Sequence, residues 1–599
     1  MYFTPNRLES SYVFRSILRL GRFVKKYKGR LVGGVTLFLV ARIFEASIPI
    51  ALMAGIDRVA EGNNNLLLPV SWILIAVVAR FAIVSWARIA VRRAGFLVSF
   101  DLRYTLYQHL QLMGSRFFSQ YTIGDMMTRA VADISLIQRL ISHGTVHLVI
   151  MLFASLVGFG FMTYLSPTLT LLVLPPLPFV FVYTWRASKL MGIASRQVQE
   201  RLSDLGAHTQ ENLSGIRTIQ AMVQEDNEIG RFAKTNQSYA DAFYRQSRIN
   251  SLMGAWMPTL ASVSAITILG YGGNLVLNGE MTVGAFTAFF MYVNMVVQPF
   301  RVAGFIVNLF QRAAVASDRL FEVFNKQPEI EDNPDSNAPD VIKGNIQIQN
   351  LSFSYDDSQV QTLHNINLKI ERGESIAIMG RIGSGKTTFL KQLVRLLDTP
   401  TDSVFIDGYD VRNYPLLQLR TQVALVPQDP FLFGEPLSAN LTYDEPNRAI
   451  DQIWQAADSA DFSGTVEDMP EKMKTIVGER GVTLSGGQKQ RATLARGFIR
   501  HAPILVLDDC FSSVDTETED HILSELKRLR RGQTTILVSH RVSTARHADR
   551  ILIFDEGKIV EIGTHEELLH RGGFYFELER IQREGADEND YPGMGSNSV

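Results

Sequence analysis

Cysteine is almost absent from this chain: Cys510 is the single one in 599 residues. One thiol builds neither an internal disulfide framework nor a cysteine-cluster metal site. Cys510 reads as a small apolar filler beside two aspartates rather than as a redox centre. An excess of either charge is lacking too, since 59 Lys and Arg face 60 Asp and Glu, for a net charge of -1. That balance argues against nucleic acid as a partner. Met1 to Ser10 is polar and holds no apolar core, so it is not expected to act as a secretory signal.

What is present is divided unevenly. A mean hydropathy of +0.06 averages long apolar stretches in the first half with a second half patterned like a soluble α/β domain. Crossing a bilayer takes ~20 helical residues. Stretches of that kind lie near Leu31–Ala54, Leu66–Val91, Thr145–Tyr164, Ser166–Tyr183, Ser251–Leu277 and Thr282–Phe310. The third and fourth are separated by Leu165-Ser166-Pro167 and read as a hairpin. Arg42 and Glu45 share a helical face in the first, and Arg80 lies in the second. Charges at that depth face a bundle interior or a cavity, so two readings stand, a structural ion pair or a place on a transport path. Phe286, Phe289, Phe290, Met291, Tyr292 and Met295 in the sixth stretch either line an apolar cavity or pack against lipid and neighbouring helices.

Basic residues crowd Tyr12–Arg30, which reads as an amphipathic helix at an anionic membrane surface. The loop Asp57 to Asn65 holds only Arg58, and Asn278-Gly279-Glu280-Met281 holds no Lys or Arg. Lys and Arg collect on the cytoplasmic side, so both termini are expected there, in a multi-pass plasma (inner) membrane protein. Segments 92–144 and 186–250 are too polar for lipid and are expected to be helical extensions into the cytoplasm, bending near Thr122-Ile123-Gly124-Asp125 and near Gln220 to Glu225. The expected layout is therefore an interfacial helix over 1–30, a six-helix transmembrane domain over 31–323, a linker over 324–343, an α/β nucleotide-binding domain over 344–584 and a disordered tail over 585–599.

The chemistry lies in the second half. The buried-type strand Ser375–Met379 runs into Gly380-Arg381-Ile382-Gly383-Ser384-Gly385-Lys386-Thr387 and then a helix opening at Thr388. Glycines let backbone N–H groups turn inward on phosphate oxygens, and the helix N-terminus adds a favourable dipole. Lys386 is expected to reach the β- and γ-phosphates of ATP, and the Thr387 hydroxyl to bind Mg²⁺. A second apolar strand, Ile504–Leu507, ends in Asp508, whose carboxylate fits a Mg²⁺-linked role. Asp509 follows, where the attacking water is to be polarised.

With Leu484-Ser485-Gly486-Gly487-Gln488 between these two motifs, the chain from Tyr12 to about Arg583 resembles a half-transporter of the ATP-binding cassette exporter family. The resemblance implies that Tyr355 stacks on adenine. It implies that Gln428, in Val426-Pro427-Gln428-Asp429, senses Mg²⁺ and touches the membrane domain. It makes Thr475–Gly481 the exporter-specific segment, Leu484–Gln488 the signature that caps ATP on the opposite subunit, Ser513-Val514-Asp515 the loop across the dimer interface and His540 the switch histidine. Gly124-Asp125 and Glu225 fall where the family's coupling regions lie. The family places Glu where this chain has Asp509, a side chain one methylene shorter, so hydrolysis on Lys386 is expected to be slow. An intact signature beside an impaired base resembles one half of a heterodimeric exporter whose other chain carries the Glu. The implied cargo is a hydrophobic small molecule, lipid or peptide. The alternatives are a homodimeric exporter, or an ATP-gated channel or regulatory subunit.

Overall fold

The computed structural model describes residues 8–63, 65–173, 176–332, 338–355, 360–478, 481 and 483–584. Part of the fourth apolar stretch, part of the linker, Glu479 and Arg480 of the exporter-specific segment, and the tail 585–599 lie outside the described residues. The chain divides into two compact units, one of residues 1–112 and 121–326, the other of 113–120 and 327–599.

The first unit is helical. Among the described residues three helices are long and apolar enough to cross a membrane: Lys28–Ala60, Leu67–Leu112 and Ile123–Leu165. Ala265–Leu277 and Val283–Val297 are shorter apolar stretches, the second lying within the continuous helix Val283–Phe324. Small residues let the helices close on one another. A Cβ on Gly34 would stand 2.5 Å from Val91, and one on Gly284 would stand 2.3 Å from the Met53 carbonyl. Without water between helices, such close approach is a principal source of adhesion in a membrane. Asp57 fixes the start of Val283–Phe324 by accepting from the Gly284 N–H at 2.8 Å and the Thr282 hydroxyl at 2.9 Å. The Tyr292 hydroxyl donates to the Ala46 carbonyl at 2.7 Å.

The three intramembrane charges meet. Glu45 pairs with Arg42 on its own helix and with Arg80 at 3.1 Å across to the next. One carboxylate thus neutralises one of two cations and ties the first two apolar helices together. The chain turns between Thr145–Leu165 and Pro167–Val173 at Ser166, which is extended. The two bends expected in the polar extensions are helix breaks. Thr122 caps Ile123–Thr128 by accepting from the Asp125 N–H at 3.2 Å, and Val223, at φ 53, separates Ile216–Ala221 from Glu225–Thr267. Asp125 also binds Arg129 and Arg319, and Arg319 reaches Asp133 at 3.0 Å, so that the extension following Thr122 is bolted to the end of Val283–Phe324.

Among the described residues the second unit carries two sheets. The strands are β1 (Ile346–Ser354), β2 (Gln361–Ile370), β3 (Ser375–Gly380), β4 (Val404–Ile406), β5 (Tyr409–Asp410), β6 (Val423–Val426), β7 (Ile504–Asp508), β8 (Thr534–Val538), β9 (Arg550–Asp555) and β10 (Lys558–Gly563). One sheet is antiparallel, ordered β2-β1-β4-β5; the other is ordered β10-β9-β3-β8-β7-β6 and parallel from β9 to β6. Strands covered on both faces read as continuous apolar runs, and β3, β7 and β8 do. Their alternation still sorts the faces: Ala377, Met379, Leu505 and Leu507 enter one core, and Ile376, Ile378, Ile504 and Val506 the other. Cys510 is 1% exposed within the first of these cores, as an apolar filler would be.

Candidate ATP site

Ligands of open parallel sheets bind beyond the carboxyl ends of the strands, and β3, β8 and β7 are adjacent. Their ends bring together the Gly380–Thr387 loop, Ser539-His540 and Asp508-Asp509. A cavity of about 600 Å³ opens there. Its walls include Ile382, Gly383, Ser384, Gly385, Lys386, Thr387, Thr388, Gln428, Asp508, Asp509 and His540. All of these were expected from the sequence. Phe511, Ser512, Val538, Ser539 and Arg541 also line it and stand within two residues of motif residues, while Thr362 lines it from β2 and carries no motif signal.

The loop has a conformation that demands glycine where it matters most. Gly380 sits at φ 142, and a Cβ there would lie 2.0 Å from the Phe554 carbonyl oxygen. Gly385, at φ 97, precedes helix Lys386–Leu393. Lys386 bends back to donate to the carbonyls of Gly380 and Arg381, both at 2.8 Å, so these two residues frame the cradle from behind. The Arg381 guanidinium lies 5.3 Å from the Phe574 ring. The buried Ser384 hydroxyl has no hydrogen-bond partner among the described residues. An orphaned donor inside a cradle of N–H groups, with a lysine and a helix N-terminus, fits a polyphosphate.

The acidic wall is equally defined. The Thr387 hydroxyl donates to Asp508 Oδ1 at 3.2 Å, and Gln428 Nε2 donates to Asp509 Oδ2 at 3.1 Å. Asp508 and Asp509 are 5% and 8% exposed. Burial pushes both carboxyls above the ordinary carboxylate range. For Asp508 the Thr387 hydrogen bond opposes this, and for Asp509 the nearby His540 does. A hydroxyl, a carboxylate and an amide oxygen are hard donors of the kind Mg²⁺ takes when it shares its shell with phosphate oxygens, so the donor set fits that ion. Asp509 stands at φ 46, a left-handed conformation that Asp tolerates better than most residues.

The remaining expected residues are placed outside this cavity wall. The Tyr355 hydroxyl hydrogen-bonds the Thr388 hydroxyl at 3.1 Å, and its ring is edge-on to Phe353, leaving it 38% exposed beside the cavity. Ser485 caps helix Gly486–Phe498 in a reciprocal box with Gln488, and Leu484 is buried against the core. Gly486 and Gly487 open that helix beside Ser513. Asp515 caps Thr516–Leu529 by accepting from the Thr518 N–H at 3.0 Å, which holds its carboxyl below the usual range. The signature residues and Asp515 therefore do not line the cavity that holds Lys386.

Two family models match the chain, one described as the ABC transporter transmembrane region over residues 31–300 and one as ABC transporter over 363–512. The ABC transporter ATP-binding protein YknU of Bacillus subtilis (strain 168) is 31% identical over 94% of this chain and 97% of its own length. The chain belongs to the ABC transporter family. Membership makes it an integral membrane protein that binds ATP and couples its hydrolysis to transport. Another relative, the ATP-dependent lipid A-core flippase of Syntrophus aciditrophicus (strain SB), is 31% identical over 96% of both chains. The fold matches the structure of a bacterial Atm1-family ABC exporter with ATP bound, at a TM-score of 0.77 and 23% identity over 93% of this chain and 99% of that one.

Proposed function

We propose that this ABC transporter chain is one half of a dimeric exporter or flippase of hydrophobic or amphipathic compounds, and that it works beside a different half-transporter that carries Glu where this chain has Asp509. The printed activity of the lipid A-core flippase supports the class of cargo. The observation that carries the dimer reading is the separation of two sets of residues within one unit. The phosphate loop, Asp508, Asp509 and His540 line one cavity, and the capped signature helix starts outside it. Its small residues and the dipole at its N-terminus suit an anion held by a neighbouring subunit.

In this reading the Gly380–Thr387 loop and Lys386 hold the phosphates of ATP, Tyr355 stacks on its adenine, and Asp515 and the signature complete the neighbour's site. Thr387, Gln428 and Asp508 hold Mg²⁺, which when bound neutralises phosphate charge. Asp509 and His540 orient and polarise the attacking water. The Asp509 carboxylate stands back by roughly 1.5 Å, one C–C bond, and water placement is sensitive on that scale. Binding is spared and hydrolysis on this chain is slow, while the neighbour's site, completed by Ser485 to Gln488, turns over. ATP closes the nucleotide domains because it binds the closed state more tightly. The closed state opens the membrane cavity outward, with the second units and both termini in the cytoplasm.

Site-resolved trapping tests this. With vanadate and a photoreactive ATP analogue, trapped diphosphate is expected on the partner's phosphate loop. Equal trapping on Lys386's loop would contradict an impaired site here.

A further inference from the structure

Gln490 lies in the second turn of helix Gly486–Phe498, four residues into it, and is 4% exposed. Its Nε2 donates to the Ser512 hydroxyl at 2.8 Å, and its Oε1 accepts from the Ser513 N–H at 2.8 Å. One planar amide thus holds the hydroxyl of one residue and the backbone N–H of the next. The fit beside it is tight, since a Cβ on Gly487 would stand 2.8 Å from the Ser513 carbonyl oxygen. The start of the signature helix and residues 512–513 are therefore tied together through one side chain.

The same stretch is gripped from the opposite side. Arg541, directly after His540, donates to the carbonyls of Ser512 at 3.3 Å and Val514 at 2.9 Å. Its guanidinium is anchored by Glu519, itself 1% exposed, at 2.5 Å. Asp509 lies three residues before Ser512, joined through the buried Cys510 and Phe511. Asp509, Ser512 and Arg541 all line the ATP cavity. A displacement of the cavity wall is thus passed to Ser512–Val514 and, through one side chain, to the signature helix. Packed cores transmit such shifts because they do not deform continuously.

We propose that Gln490 is a positioning residue that carries the state of this chain's own ATP cavity to the signature face that completes the neighbouring subunit's ATP site. This rests on the shared-site reading above, and holds whether the neighbour is a second copy or a different chain. Through Gln490, nucleotide on the slow site sets the signature's position and so the rate at the opposite one.

The test uses the full dimer in lipid nanodiscs. Gln490→Met keeps the shape and removes both hydrogen bonds; Gln490→Glu keeps acceptors for the Ser513 N–H and the Ser512 hydroxyl. Gln490→Met is expected to lower kcat about ten-fold or more, with KM and photolabelling of this chain's phosphate loop by an ATP analogue within about two-fold. Gln490→Glu is expected to recover most of kcat. An unchanged kcat, a loss confined to KM, or a Glu variant as slow as the Met variant would overturn the proposal and leave Gln490 a structural tie only. Should Gln490→Met fail to assemble, Ser512→Ala removes one half of the link and is expected to give a smaller loss in kcat alone; full turnover there would overturn it equally. Ser485→Ala separates the two levels. If it cripples turnover while Gln490→Met does not, the shared site stands and the relay falls; if Ser485→Ala is silent, the shared-site reading itself fails.

Discussion

Replacing Asp509 by Glu adds the methylene that the cavity lacks and so separates geometry from every other cause of slow hydrolysis. General-base assistance contributes about 10²–10⁴-fold, or roughly 3–5 kcal/mol at 1.36 kcal/mol per decade. The opposing cost is local. Position 509 has φ 46, which Asp tolerates and a longer side chain does not relieve, at a penalty of about 1 kcal/mol. The hydrogen bond from Gln428 at 3.1 Å must also be remade with a displaced carboxylate, at about 1 kcal/mol. If the whole of both penalties fell on the barrier, the low end of the gain would shrink to about three-fold. The assay is phosphate release from the reconstituted dimer whose partner has its catalytic Glu changed to Gln, so that only this chain's site reports. Asp509→Glu is expected to raise turnover at least about three-fold over that background, with ATP affinity unchanged. A folded, ATP-binding Asp509→Glu dimer with no gain would refute side-chain length as the cause.

Lys386→Ala removes the ammonium held 2.8 Å from two loop carbonyls and is expected to weaken nucleotide binding on this chain by ten-fold or more, read by photolabelling of its phosphate loop; unchanged labelling would remove that role. Ser485→Ala breaks a helix cap of about 1 kcal/mol and is expected to depress turnover of the dimer far beyond that stability loss, although Ser485 lies outside its own chain's cavity. Burial raises the carboxyls of Asp508 and Asp509 above 3.8 in the free protein. Both act ionised, so in the dimer whose partner has its catalytic Glu changed to Gln, where only this chain's site reports, the acid limb of kcat/KM is expected above the ordinary carboxylate range, with activity lost as pH falls; a limb at or below about 4 would contradict it. Gly380→Ala places a methyl carbon 2.0 Å from a carbonyl oxygen at φ 142 and is expected to destabilise the second unit, seen as a lower unfolding temperature.

The ATP cavity was legible in the sequence because its residues sit at the ends of local patterns. A buried strand followed by Gly380–Thr387 fixes where the loop lies, and Ile504–Leu507 fixes where Asp508 and Asp509 emerge. The strand order β3-β8-β7, which the structure supplies, then brings Lys386, His540 and Asp509 together. What was not legible is held by contacts far apart along the chain. Arg541 reads as one more surface cation until Glu519 and the Ser512 and Val514 carbonyls surround it. Gln490 reads as a polar helix residue until Ser512 and Ser513 close on it. The left-handed backbone at Asp509 has no sequence signal, since Asp occupies many conformations. In the first unit the sequence marked Arg42, Glu45 and Arg80 as costly and left their purpose open; the structure joins all three in one ion cluster. The bends expected near Thr122–Asp125 and near Gln220–Glu225 fall at helix breaks, whereas the bolting of Asp125 to Arg319 depends on how two distant helices pack.

The central claim, that this chain binds ATP yet depends on a glutamate-bearing neighbour for turnover, is tested most directly by ATPase activity of the chain purified alone in lipid, set against the same chain assembled with such a half-transporter. Negligible turnover alone and robust, cargo-stimulated turnover together is the predicted result. Robust, cargo-stimulated turnover by the chain alone would make Asp509 an adequate base and the working unit a homodimer.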